Sequence, residues 1–324
     1  MDNTILQIMD GPSDISRPRY PASGSIWLSD ILAGSPNWNP LPEIKRIYRA
    51  LSPAADLSFL DRLYQDTTAM FAGEYPGFRG CAPCGYHDLR HARNVALATM
   101  RLMHGLHCRG IRLPEDIIRL GILCAFFHDT GILLRDDDQA ETGVAYLKEH
   151  EKRSIAFLRE YLFKEKLPFE YYQKCAAVID CTNLMIDPRQ LSFSSTHLRI
   201  LGQIVGSADI MAQMADRYYL ESLPILFQEF RSAGINGYDS TMDLLRQTTN
   251  FYYEMIGARL RETFDNIGQA MRDHFRIWWN IDRNLYTDSM ENNVRYLQNC
   301  VIACEGDESR LGLFLRRKLP TVRY

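Results

Sequence analysis

From Asp56 to the end of the chain, apolar residues recur at three- and four-residue spacing, and strand-like alternation is nearly absent. That period belongs to amphipathic helices. Leu60, Leu63, Tyr64, Thr67 and Phe71 share one face of a first helix, which GEYPGFRGCAPCG breaks with turn residues. A second helix is predicted over residues 86–105, where Leu89, Ala92, Val95, Ala96, Thr99, Leu102 and Met103 keep the spacing. Pro114-Glu115-Asp116 reads as the first turn of a third, because proline is tolerated there and acids are favoured by the helix dipole. That helix ends at His128-Asp129. Further helices are expected over about 141–164, 171–181, 197–219, 223–231 and 243–264, and through Trp278-Trp279. Tyr252, Ile256, Leu260 and Phe264 form one packed stripe, and Met290, Val294, Leu297, Val301 and Cys304 another.

Residues 1–53 break this pattern. They hold seven of the 14 prolines, with Trp27 and Trp38 as large apolar anchors. Each internal proline removes a donor and clashes with the preceding turn, so the segment is expected to be an arm laid over the body rather than a long helix. No repeat or low-complexity tract follows it. The expected organisation is an N-terminal arm, 1–53, and one all-α domain, 54–324.

Composition narrows the partners. The chain has 324 residues, 46% hydrophobic and 24% charged, enough for one large core or two small domains. A net charge of −3 shows no basic excess, which argues against nucleic-acid and membrane-surface binding and for a small-molecule partner. No stretch approaches the ~20 apolar residues of a membrane span, and MDNTILQIMDGPSD lacks a secretory layout. A cytoplasmic location is expected. The oligomeric state is open, with a homodimer compatible. The eight cysteines are too sparse for a disulfide framework. Cys81-x2-Cys84 with Cys300-x3-Cys304 has the residue types of a four-thiolate zinc site, but burial explains Cys304 without a metal.

The chemistry centres on Leu120–Gly131, LGILCAFFHDTG, an apolar run that ends abruptly in an imidazole and a carboxylate. A buried charge is costly unless it is paired or binds a metal. His128 could cap carbonyls and favour the dipole at a helix C-terminus; Asp129 is unfavourable there. Asp209 poses the same problem, following Leu201, Ile204, Val205 and Ala208 on a buried helix face. His87 and His91, four apart on a predicted helix, would project from one face. On their own they are a weak signal.

In the order His91, His128-Asp129, Asp209, the chain resembles the HD superfamily of metal-dependent phosphohydrolases. The local match is to its cyclic nucleotide phosphodiesterase branch, whose first motif reads Tyr-His-Asn-x-x-His-Ala-x-Asp-Val. Here the stretch is Tyr86-His87-Asp88-Leu89-Arg90-His91-Ala92-Arg93-Asn94-Val95, with two Asn/Asp exchanges. The resemblance, over roughly 75–265, implies an HD-domain helical bundle. It implies that His91, His128, Asp129 and Asp209 bind a first metal, that Asp129 also reaches a second, and that His87 is the general acid. Two divalent ions (Mg, Mn, Fe or Zn) would lower the pKa of a shared water and neutralise charge on a nucleotide phosphate; an imidazole suits proton donation to the leaving oxygen. The chain departs from that branch at Ile132, where a further histidine would stand, and lacks its later glutamine-phenylalanine signature.

His150 matches the arrangement of other HD proteins, which place a histidine on the following helix; a surface histidine among charges reads as well. Asp88 and Thr182 are further candidates for substrate or second-metal contacts. Asp136, Asp137 and Asp138 could attract a divalent ion, and Lys152 and Arg153 a phosphate, while solvated loop and surface roles explain them too. Met211, Met214 and Tyr218 read as core, and His104, His107, His197 and His274 as structural. The resulting expectation is hydrolysis of a phosphodiester of a cyclic or linear nucleotide. Alternatives are a nucleotide phosphomonoesterase on the same site, a non-catalytic nucleotide or metal sensor, and an HD-fold diiron oxygenase.

Overall fold

The computed structural model describes residues 26–31, 39–80, 85–315 and 317. The first half of the fold holds α1 (Leu28–Ile31), α2 (Leu41–Leu51), α3 (Ser58–Ala72), α4 (Leu89–Cys108), α5 (Glu115–Phe127) and α6 (His150–Lys164). The second holds α7 (Phe169–Ile179), α8 (Thr196–Met214), α9 (Tyr219–Ser232), α10 (Thr241–Phe251), α11 (Ala270–Trp279) and α12 (Leu285–Cys304). A two-stranded antiparallel ribbon joins β1 (Phe78–Gly80) to β2 (Leu134–Arg135), with Phe78 opposite Arg135. The fold is all-α, as its apolar spacing requires.

Helix α4 is the axis of the core, packed against α2, α5, α8 and α11. It is buried from Leu89 to Leu106 on nearly every face, so its one fully buried charge, Arg101, needs partners. Glu43 takes two of its N–H groups at 3.0 Å each, and the Tyr286 hydroxyl a third at 3.3 Å. Helix α5 is buried just as deeply; Phe126 and Phe127 are fully enclosed, each contributing about 2 kcal/mol through removal from water. Gly121 lets the three central helices meet. A Cβ there would lie 2.4 Å from the Met103 methyl of α4 and 2.6 Å from Leu201 Cδ1 of α8.

Several expectations are corrected. The end of the proline-rich segment is helix α2, whose Ile44, Ile47 and Tyr48 are fully buried against the core. Pro40 caps it and Pro42 lies in its first turn, where a missing N–H breaks no helical bond. Residues 1–25 and 32–38 of the expected arm lie outside the described residues. The helix expected over 141–164 is a 3-10 turn, Gly143–Tyr146, followed by α6. That over 197–219 divides at Asp216, whose carboxylate accepts the Tyr218 N–H at 2.7 Å and whose carbonyl accepts that of Tyr219 at 3.0 Å. Beyond α10 the chain continues through two π-turns, Tyr252–Ile256 and Arg259–Thr263, though Tyr252, Ile256, Leu260 and Phe264 still pack on the core.

Candidate metal centre

The apolar helix α5 carries its imidazole out of the last turn with helical geometry: His128 has φ −54° and ψ −34°. Its Nδ1 donates to the Ala125 carbonyl at 2.9 Å, which leaves Nε2 as the atom that faces the interior. The next residue departs from the helix, Asp129 having φ −107° and ψ 2°, so its carboxylate can swing toward the same point. His91 comes from the first turn of α4 and Asp209 from α8.

These four groups converge. His91 Nε2 lies 3.2 Å from His128 Nε2, 3.0 Å from Asp209 Oδ1 and 3.5 Å from Asp129 Oδ2. His128 Nε2 lies 3.2 Å from Asp129 Oδ2 and 3.5 Å from Asp209 Oδ1. Nearest-neighbour ligands 2.1 Å from one ion are about 3.0 Å apart in octahedral and about 3.4 Å apart in tetrahedral geometry. Three of the five edges fall in that range, and the two at 3.5 Å lie just beyond it. His91, His128 and Asp129 bring one ligand atom each within 4.8 Å of one another.

Electrostatics points the same way. Burial alone would raise both carboxyls, yet His128 holds Asp129 well below the usual range, and His128 with His91 hold Asp209 at about 2. Burial would depress His128, but Asp129 and then Asp209 outweigh it and raise it well above an ordinary imidazole. His150 follows the same balance, burial opposing and Asp129 favouring the cation, and reaches about 9. The site demands positive charge, which protons or a metal can supply.

The further candidates divide. His150 is brought in: its Nε2 stands 3.4 Å from Asp129 Oδ1, and its Nδ1 donates to the Leu147 carbonyl at 2.7 Å. His87 is also brought in, but not from the helix. Asp88 is the N-cap of α4, extended in backbone and accepting the His91 N–H at 2.8 Å, so the helix begins at Leu89 and His87 precedes it. Asp88 is therefore a capping residue. The His87 ring lies 5.5 Å from that of His150. Thr182 is not brought in; its hydroxyl donates to the Ile179 carbonyl at 2.8 Å. Asp138 and Arg153 pair with each other at 2.7 Å. Ile132 is wholly buried. Cys300 and Cys304 are buried free thiols, while Cys81 and Cys84 lie outside the described residues.

One residue escaped the sequence reading. Glu229 of α9 is buried and uses both oxygens on the segment before α4, one accepting the Tyr86 N–H at 3.0 Å and the other facing His87 Nδ1 at 2.9 Å. It lies outside the Tyr219, Leu223, Phe227 stripe, so periodicity gave no signal for it. Because the carboxylate accepts, Nδ1 is the donor and the ring turns Nε2 away from Glu229.

Fold and site together define an all-α protein with a buried centre of two imidazoles and two carboxylates. The Npun_R2479-like family profile matches residues 80–274, and the chain belongs to that family. The matched span includes the whole centre with His87, His150 and Glu229. No curated protein matches the chain. Among the described residues no helix is long and apolar enough to cross a membrane.

Proposed function

We propose that the chain is a metal-dependent phosphohydrolase of HD type, acting on a phosphodiester bond of a small nucleotide. The observation that carries the reading is His91 and His128 facing each other at 3.2 Å, with Asp129 and Asp209 each within 3.0–3.5 Å of both, and His87 separately held by Glu229. Two carboxylates packed this closely around two imidazoles demand positive charge, which a metal ion or protons supply. Two divalent ions, when bound, supply an acidified water and charge neutralisation on the phosphate.

The chain's own groups do the rest. His91, His128, Asp129 and Asp209 would hold the first ion, and Asp129 with His150 would reach the second. Glu229 fixes the His87 tautomer by accepting from Nδ1, and the protonated ring presents Nε2–H to the leaving oxygen, a general-acid step worth about 10²–10⁴-fold. Exposure sets the direction of approach: the Asp209 side chain is 20% exposed and that of His150 14%, against 0% for His128. Substrate therefore enters from the side of Asp209, His150 and His87.

Elemental analysis coupled to a hydrolysis panel tests this. The expected result is turnover of a cyclic or linear nucleotide with Mg²⁺, Mn²⁺ or Fe²⁺ that excess EDTA abolishes. Turnover undiminished in EDTA contradicts the reading, and tight nucleotide binding without product in any metal replaces it with a sensor.

A further inference from the structure

Arg153 lies one helical turn beyond His150 on α6, where a free guanidinium would face the candidate site. It is not free. Its Nε donates to the Gly131 carbonyl at 2.8 Å, and its Nη2 to the Leu133 carbonyl at 3.1 Å. Asp138 accepts from Nη1 at 3.2 Å and from Nη2 at 2.7 Å. The guanidinium also lies 3.6 Å from the centre of the Tyr146 ring, whose hydroxyl donates to Asp138 at 2.9 Å. The neighbouring residue completes the grip: Ser154 Oγ accepts the Gly131 N–H at 2.8 Å. Both polar groups of Gly131 are thus held by α6, and the helix approaches so closely that a Cβ on Gly131 would meet the His150 carbonyl at 1.9 Å.

Gly131 is two residues after Asp129, and His150 opens the helix that holds it. The clamp therefore sets the 3.4 Å spacing of His150 Nε2 and Asp129 Oδ1. Three of the four first-ion ligands stand outside it, Asp129 being the one shared. His91, His128 and Asp209 are placed by α4, α5 and α8, whose mutual packing does not pass through residues 131–154.

Resting on the two-ion reading above, we propose that Arg153, braced by Asp138, is a positioning residue for the second ion, and that the first ion, which shares only Asp129 with the clamp, depends on it far less. Arginine is required because one rigid fork serves two carbonyls and a carboxylate at once; a lysine ammonium is a single point charge on a flexible stem.

Calorimetric titration of the metal-free full chain with Mn²⁺ alone tests this in the wild type, Arg153→Ala, Arg153→Lys, Asp138→Ala and His150→Ala. The wild type is expected to bind two ions of unequal affinity. The three clamp variants should weaken the second ion by about 10–100-fold, the usual cost of losing an outer-shell partner, and leave the first within about twofold. His150→Ala should show the same pattern, and retention of the first ion shows that each variant is folded. Equal loss of both ions, or loss of neither, in Arg153→Ala overturns the proposal while leaving the two-ion reading intact. A wild-type chain that binds one ion overturns both.

Discussion

Helix α4 meets a second histidine near each end, across almost the same gap. His91 Nε2 faces His128 Nε2 at 3.2 Å, and His104 Nδ1 faces His274 Nδ1 at 3.1 Å. All four rings are buried. Around the first pair stand Asp129 and Asp209. Around the second stand Trp278, Cys108 and Phe275, and the adjacent acid, Asp273, is turned outward to Arg109 and Arg276. Burial, aided by the charge of His107, lowers His104 to about 4; burial, His104 and Arg101 push His274 well below the normal range. A pair of neutral imidazoles needs only one proton between them. The comparison teaches that proximity of histidines does not make a metal centre. Carboxylates turn the same geometry into a demand for a cation.

The sharpest way to break the comparison is to remove a carboxylate or an imidazole from the first cluster. His128→Ala or Asp129→Ala is expected to abolish metal retention and lower turnover by more than the roughly 10–100-fold that an outer-shell change costs. His104→Ala should leave metal content unchanged, as metal analysis of both variants would show. A smaller loss is expected outside the ligand set. Glu229→Gln should lower kcat by about 10²-fold, within the range for a general acid, with metal stoichiometry intact. Combined with His87→Ala it should add little, because both changes remove one proton donor. Between the two clusters, Arg101→Met should cost about 3 kcal/mol of unfolding free energy, the low end for breaking a buried pair, since it leaves the partly buried Glu43 beside no cation, and chemical denaturation would measure it.

The smallest effect is a difference in pH dependence. His104 and His274 have folded pKa values below 6.5, so under acid the unfolded chain binds more protons than the folded one. Their contribution to stability is present above 6.5 and falls as the pH drops toward 4, by up to about 1.4 kcal/mol per pH unit for each group. In the metal-free chain the centre acts in the opposite sense. His128 and His150 are raised, so their contribution is full below 6.5 and is lost as the pH rises toward 9. Asp129 and Asp209 are lowered, so theirs is lost only below about 3.8. Thermal melts in EDTA should give greatest stability near pH 6.5, and a His104→Phe, His274→Phe variant should flatten only the acid side. An unchanged acid limb in that variant would show that this pair does not set it.

Much of this was legible in the sequence, for identifiable reasons. The period of Leu89 to Met103 predicts α4, and the apolar run before His128-Asp129 predicts a helix that delivers two polar groups to the interior. Asp209 betrays itself by following four apolar residues on one face. What was hidden arose from local hydrogen bonding and tertiary partners. Asp88 looked like part of a ligand motif but caps α4, which moves His87 off the helix. Pro40 and Pro42 looked like helix breakers, yet they occupy the cap and first turn of α2. Glu229 reads as an ordinary helix charge and Arg153 as a phosphate contact or a surface residue, because only tertiary packing brings one to His87 and the other to Gly131.

The most direct test of the centre is the metal content of three purified chains: wild type, Asp129→Ala and His104→Ala. Bound divalent metal is expected in the wild type and in His104→Ala, and none in Asp129→Ala. Metal retained in Asp129→Ala at the wild-type level would contradict the account, because the carboxylate that most distinguishes the two histidine pairs would then be dispensable.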